Sequence, residues 1–255
     1  MFSHLYNTFI FIPLYNGLIG LMAVLPWLDA GIIAILFTII IRFILFPLSK
    51  KAIVAQVKMR ELQPDLDKLK VTYKDNRQMQ STKMMELYKQ KGVNPFSSIF
   101  LLLIQLPIMY ALYSVFIHSG LPEVNKDLIY SFITAPVINI HFLGLIDITK
   151  ASIILALVAA VAQYFQLHYS LNAMKNVSTP TLAAKPSQAD MAQNMTKNMK
   201  YVFPVMIFFI GFRLPAVLPL YWATTNVFTI VQEIVVRRHL AHLKTQAEEK
   251  AYLGA

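Results

Sequence analysis

The sequence predicts an all-α fold: a polytopic membrane protein with a core of five transmembrane helices, an N-terminal interfacial helix and a cytoplasmic helical hairpin. Three observations carry this. Of 255 residues, 56% are hydrophobic and only 14% charged, with mean hydropathy +0.53; soluble domains run at about 45–50% and about 25%. The apolar residues gather into blocks long enough to cross about 30 Å of hydrocarbon. The 23 Lys and Arg residues, which outnumber Asp and Glu by 10, are shared very unevenly between the connecting segments. The absence of cysteine excludes a disulfide scaffold, a thiolate metal site, a cysteine nucleophile and a lipidated N-terminal Cys.

Residues 1–28 are apolar but interrupted by Asn7, Pro13, Asn16, Gly17 and Gly20. They lack a basic n-region, and Asn16 with Gly20 gives a weakly polar face, so an interfacial helix in the outer leaflet is expected in place of a span. Residues 29–49, 95–118 and 150–170 are then the first three spans. Residues 202–236 are harder to place, because a single helix of that length would reach about 52 Å. Pro215 and Pro219 break it, so two short spans at 199–213 and 217–236 are expected. Between these lie an external loop, 119–149, and a cytoplasmic loop, 171–198; a basic cytoplasmic tail, 237–255, follows.

Orientation follows from basic residues in loops. Eleven lie between Lys50 and Lys91, four in residues 172–200, and Arg237, Arg238, Lys244 and Lys250 in the tail. The other side has Lys126, Lys150 and Arg213. The N-terminus is therefore expected outside and the C-terminus in the cytoplasm.

Residues 50–94 are too long for a mere connector. Met59, Leu62, Leu66, Leu69 and Tyr73 repeat at 3-4-3-4 spacing, a seam suited to pairing with a second helix over residues 78–91. Met84 and Leu87 are its candidate partners, Gly92 its stop, and Asn94-Pro95 the start of the next span. A solvated basic connector or a helix lying on anionic lipid is the plainer alternative.

Arg42 is the most informative residue. Even a lenient scale charges about 2.5–3.5 kcal/mol for arginine at a helix centre, and apart from Asp29 at the edge of the first span, Glu233 is the only acid in any span. Snorkelling to lipid phosphate is one reading; a wet cavity open to the cytoplasm, with the guanidinium facing a visiting acidic group, is favoured. Polar stripes support it: Thr38, Arg42 and Ser49; Ser98 and Gln105; Ser152, Gln163, Gln166 and Ser170; and Trp222, Thr225, Asn226, Thr229 and Gln232. Any single stripe is better explained by helix–helix packing. Four stripes with one arginine point to a groove.

The order of motifs resembles the YidC/Oxa1/Alb3 family of membrane protein insertases. The matching pieces are Thr38-Ile-Ile-Ile-Arg42, Phe46-Pro47-Leu48, Leu62-Gln-Pro64, Tyr73-Lys-Asp75, Gly92-Val-Asn-Pro-Phe96, Leu103-Ile-Gln-Leu-Pro-Ile108, Phe203-Pro-Val205 and Leu220-Tyr-Trp222, with Asn226 and Gln232. One departure is Pro215-Ala-Val-Leu-Pro219, where the family usually has Pro-Ala/Ser-Gly-Leu. The resemblance implies a groove open to cytoplasm and lipid and closed outside. It assigns Arg42 to receiving polar or acidic parts of a nascent membrane protein, and the hairpin with Leu62, Pro64, Leu66 and Leu69 to recruitment. It also implies membrane lipids as partners and a Sec-type channel and the ribosome as candidate ones, with no cofactor, metal or small-molecule substrate.

Enzyme motifs are missing from the sequence: no Gly-x-Ser-x-Gly, His-Glu-x-x-His or glycine-rich phosphate loop. The rival from another class is a small-anion transporter using Arg42, although five spans do not divide into equal repeats. Without an Arg- and Ser-rich transit peptide, a bacterial plasma membrane is the expected location.

Overall fold

The computed structural model describes residues 2–94, 97–117, 123–172 and 188–253. The expected start of a span at Pro95, His118 and most of the basic loop after residue 172 lie outside the described residues. Ten α-helices and one small hairpin make up the rest. Helix α1 (Phe2–Tyr6) runs through a π turn (Asn7–Phe11) into α2 (Ile12–Val24). Residues His4–Val24 form a helix long and apolar enough to cross a membrane, yet one side of it is thoroughly packed. Tyr15, Leu18, Ile19 and Met22 are buried in the main core with Ile33, Phe37, Leu112, Val115 and Tyr221. A Cβ on Gly17 would lie 2.9 Å from the Phe37 ring, so this glycine is what lets α2 cross so close to α3. Asn16 is buried and satisfied from both ends: its amide donates to Leu128 O (2.8 Å) and its oxygen accepts from Tyr130 N (2.6 Å).

Helix α3 (Ala30–Ile44) starts at Asp29, whose carboxylate Oδ1 accepts from the amides of Gly31 and Ile32, each at 2.9 Å. It stops at Leu45, and α4 (Phe46–Glu61) leaves at a 65° bend. Pro47 is the physical cause: it has no N–H to give and its ring collides with the carbonyl four residues back. The first apolar block is therefore broken at residue 45 and does not run straight to residue 49. Ala52 and Ile53 on α4 are buried, so the basic segment begins as part of the core.

Helices α5 (Gln63–Thr72) and α6 (Arg77–Gln90) close the cytoplasmic hairpin. Leu62, Leu66 and Val93 form its small core, with Met59, Met84, Leu87 and Tyr88 packed on it. Leu69 is only half-buried and stands outside that cluster. Pro64 lies in the first turn of α5, where its missing N–H costs nothing. Asn76 caps α6 by accepting from Met79 N at 3.0 Å. At the other end Gly92 takes φ +62°, which permits paired bonds from Gly92 N to Lys89 O and from Val93 N to Tyr88 O. That turn swings Val93 onto Leu62 and Leu66.

Helix α7 (Ser97–Ile117) leads to a loop that lies against α2, then to strands β1 (His141–Phe142) and β2 (Ile146–Asp147), paired antiparallel. Helices α8 (Ile153–Asn172), α9 (Gln188–Gly211) and α10 (Val217–Leu253) complete the bundle. The turn between α9 and α10 is sewn to the residues before α8: Ala216 N donates to Lys150 O (2.8 Å) and Val217 N to Ile148 O (3.1 Å). Two elements are longer than expected. The apolar part of α9, Asn198–Gly211, would reach about 21 Å, but the helix starts ten residues earlier, at Gln188. The basic tail continues α10 as helix to Leu253.

Candidate functional site

Helix α10 is the post on which the polar interior is hung. Its start is set by the prolines at 215 and 219, and small residues (Ala223, and Ala159 and Ala160 on α8) let the helices approach closely enough for side chains to meet. Three cross-helix polar contacts leave α10. Gln105 on α7 donates to the Tyr221 hydroxyl. Asn226 donates to Gln163 Oε1 on α8 at 3.0 Å. Gln232 donates to the Ser49 hydroxyl on α4, and Ser49 in turn donates to the carbonyl of Leu45 at the bend (3.0 Å).

The arginine sits in the first of these contacts. Arg42 Nη2 donates to Gln105 Oε1 at 2.7 Å, and the Tyr221 hydroxyl is within hydrogen-bonding reach of the same guanidinium. Side chains on a helix lean towards its N-terminus, so the Arg42 head is carried away from the α3–α4 bend and into the bundle. That is the opposite of a reach towards lipid phosphates at the basic end. Among the described residues no carboxylate pairs with Arg42. A hydrogen bond to a charged group is worth about 1.5–3 kcal/mol, which offsets most of the insertion cost of about 2.5–3.5 kcal/mol. The charge is held but not neutralised.

The residues singled out from sequence fall into two groups on different sides of α10. Arg42 and Gln105 join Tyr221 on one side. Gln163, Gln166 and Asn226 form a chain on the other, with Gln163 donating to Gln166 at 3.2 Å. Helical geometry explains the division: positions 221 and 232 differ by about 20° around the axis, whereas 226 lies about 140° from 221. Thr38 is buried, but its hydroxyl donates to Ala34 O at 2.7 Å within its own helix. Thr225 is buried one turn on from Tyr221. Trp222 packs against the cluster of Ala159, Ile207 and Ala223 and also against the main core, so it is an apolar wall between them.

Tyr221 was missed as a polar group, although Tyr221, Thr225 and Gln232 at i, i+4 and i+11 share a face as regularly as the stripe that begins at Trp222. Also unforeseen is the end of the seam, where buried Glu233 accepts from Arg237. The Arg237 guanidinium lies 5.5 Å from the Tyr169 ring centroid, which ties the end of α8 to α10. Among the described residues no three of His, Asp and Glu converge as metal ligands would.

A bundle of apolar helices around a half-buried, uncompensated arginine and a ladder of amides defines a helical membrane protein with a polar interior. The family described as 60Kd inner membrane protein matches residues 22–244. The membrane protein insertase YidC of Fusobacterium nucleatum is 31% identical over 208 residues, 82% of this chain and 86% of the relative. That of Clostridium tetani is 31% identical over 237 residues, 92% and 94% of the two chains. That of Francisella philomiragia is 35% identical over 210 residues, 82% of this chain and 32% of a much longer relative. The chain belongs to this family, the YidC/Oxa1/Alb3 family of membrane protein insertases.

Proposed function

We propose that the protein inserts nascent membrane proteins, using the Arg42 side of α10 as a transient polar seat for the flank that must cross and releasing the apolar segment sideways into lipid. The observation that carries the reading is the bond from Arg42 to a neutral acceptor, Gln105. An arginine already paired with a carboxylate would have to break an ion pair to receive another. One bonded to an amide exchanges it for a carboxylate at a gain, since charge-assisted bonds are roughly twice as strong as neutral ones. Relatives named membrane protein insertase support the general activity; none supports a small-anion transporter.

The flank crosses a short path. The apolar part of α9, about 21 Å, is less than the usual hydrocarbon thickness of about 30 Å. Burial of the client's own apolar helix, at about 25 cal/mol per Å², is the driving force. In this reading five spans run with the N-terminus outside and the C-terminus in the bacterial cytoplasm, and α1–α2 lies obliquely in the outer leaflet. The α4–α6 hairpin meets arriving clients with a basic surface held together by Leu62 and Leu66. Arg238 on the α10 extension faces anionic headgroups, with ribosome and Sec contacts as further proposals. Photo-cross-linking from Gln105 and from Gln163 to a stalled single-span nascent chain tests the reading. Adducts from Gln105 to the client's polar flank are expected; adducts from neither position contradict it.

A further inference from the structure

We propose that the β1–β2 hairpin is a lipid anchor, its tip seated in the bilayer at the end of the bundle opposite the basic helical hairpin. The connection that carries it has an unusual composition for a surface segment: residues 128–146 contain no Asp, Glu, Lys or Arg. Much of it does not fold inward. Phe132, Val137, Leu143 and Leu145 are 80%, 96%, 63% and 84% exposed.

The tip is a three-residue turn, Leu143-Gly144-Leu145, between the paired Phe142 and Ile146, with φ +53° at Leu143 and +73° at Gly144. Positive φ is the left-handed region, where Gly, Asn and Asp are the usual residues. A leucine there accepts backbone strain and gains no burial from this chain. It has no freedom to turn inward either. Leu143 N donates to Asp29 Oδ2 at 3.1 Å, so the tip is tied to the cap of α3. Phe142 beside it is wedged against Gly31, where a Cβ would stand 2.4 Å from the Phe142 ring. Ile148 N donates to Ile140 O at 3.1 Å and closes the base. The hairpin is a rigid finger that points two leucines outward.

What covers them follows from continuity. Ile146, next to Leu145, packs on Leu155 and Ala216. From there the exposed apolar face of α8 continues through Ile153, Ile154, Leu157 and Val158, the surface that a membrane helix gives to lipid. Trp27, 73% exposed in the turn before Asp29, stands at the same end of α3, and tryptophan is the residue most at home in the headgroup region. Acyl chains at the interface fit all of these; residues 128–146 carry no Asp, Glu, Lys or Arg with which to pair with a protein partner.

The chain has no cysteine, so single cysteines at Leu143, Leu145, Lys126 and Val158 take an environment-sensitive fluorophore in the full-length protein, reconstituted in vesicles. Val158 is the lipid-facing reference and Lys126 the aqueous one. Probes at 143 and 145 are expected to emit to the blue of that at 126, to be quenched by spin-labelled lipid as strongly as that at 158, and to resist iodide equilibrated by freeze–thaw. Iodide quenching equal to that at 126 overturns the anchor. Shielding from both quenchers also overturns it, by showing that protein, a second copy or another partner, covers the tip. Equal insertion activity of all four labelled proteins shows that they are folded.

Discussion

Arg42 and Gln105 meet across the α3–α7 interface through a 2.7 Å bond from a guanidinium to a neutral amide oxygen, and Gln105 passes its own N–H to Tyr221 on α10. One glutamine thus connects three helices and holds the half-buried charge without cancelling it. Gln105→Leu removes the acceptor and is expected to lower the thermal midpoint, since a charge-assisted bond worth about 1.5–3 kcal/mol is lost. Gln105→Glu supplies the missing carboxylate. It is expected to match or exceed the parent in thermal stability while inserting clients with acidic flanks poorly. A Glu variant as active as the parent on acidic flanks would show that the neutrality of residue 105 is immaterial.

The cytoplasmic hairpin grades its own seam residues. Leu62 and Leu66 are 6% and 3% exposed, and Leu69 is half-buried outside their cluster. Replacing either of the first two by Ser is expected to cost the hairpin about 2–5 kcal/mol, and Leu69→Ser much less. Hydrogen exchange should accelerate across α5 and α6 and stay slow in α8 and α10. Uniform acceleration throughout the protein would mean that the hairpin is not a separate unit.

Two glycines make a matched pair for backbone approach. A methyl at Gly31 would stand 2.4 Å from the Phe142 ring, whereas at Gly20 the nearest atom is Ile133 Cδ1 at 3.6 Å. Gly31→Ala is expected to destabilise by about 1–3 kcal/mol through overpacking, and Gly20→Ala to leave the thermal midpoint unchanged or raised. Thermal unfolding in one detergent compares them directly.

Sidedness is read with single cysteines and an impermeant thiol reagent. Asn125, beside the Tyr15 hydroxyl, is expected to label from outside intact cells, and Met79, on α6, only after lysis. The reverse pattern would invert the orientation assigned from the basic residues.

Much of this was legible in composition and spacing, because a lone arginine among apolar residues and a 3-4 leucine repeat are strong one-dimensional signals. Leu62, Leu66 and Arg42 stand out in that way. The break at Leu45 was not resolved: Pro47 was visible, but a proline in an apolar block is read equally well as the second residue of a new helix or as a kink. Tyr221 was hidden because tyrosine counts as apolar in a stripe, and its hydroxyl matters only once Gln105 is seen opposite. Spacing places Asn226 about 140° around α10 from Tyr221, but it does not contain which neighbouring helix each of the two meets. The helical continuation of α10 to Leu253 lacks an apolar face to announce it.

Arg42 itself gives the most direct test of the central claim, that an uncompensated charge in the core receives acidic flanks. The measurement is the insertion yield of paired single-span clients that differ only in the acidity of the translocated flank, with Arg42, Arg42→Lys and Arg42→Ala compared at equal membrane abundance. The account predicts that Lys retains much of the yield for both clients. Ala should lose the acidic-flank client, keep most of the neutral one, and be no less abundant in the membrane, because the insertion cost relieved, about 2.5–3.5 kcal/mol, at least matches the bond lost, about 1.5–3 kcal/mol. Equal losses for acidic and neutral flanks would contradict it.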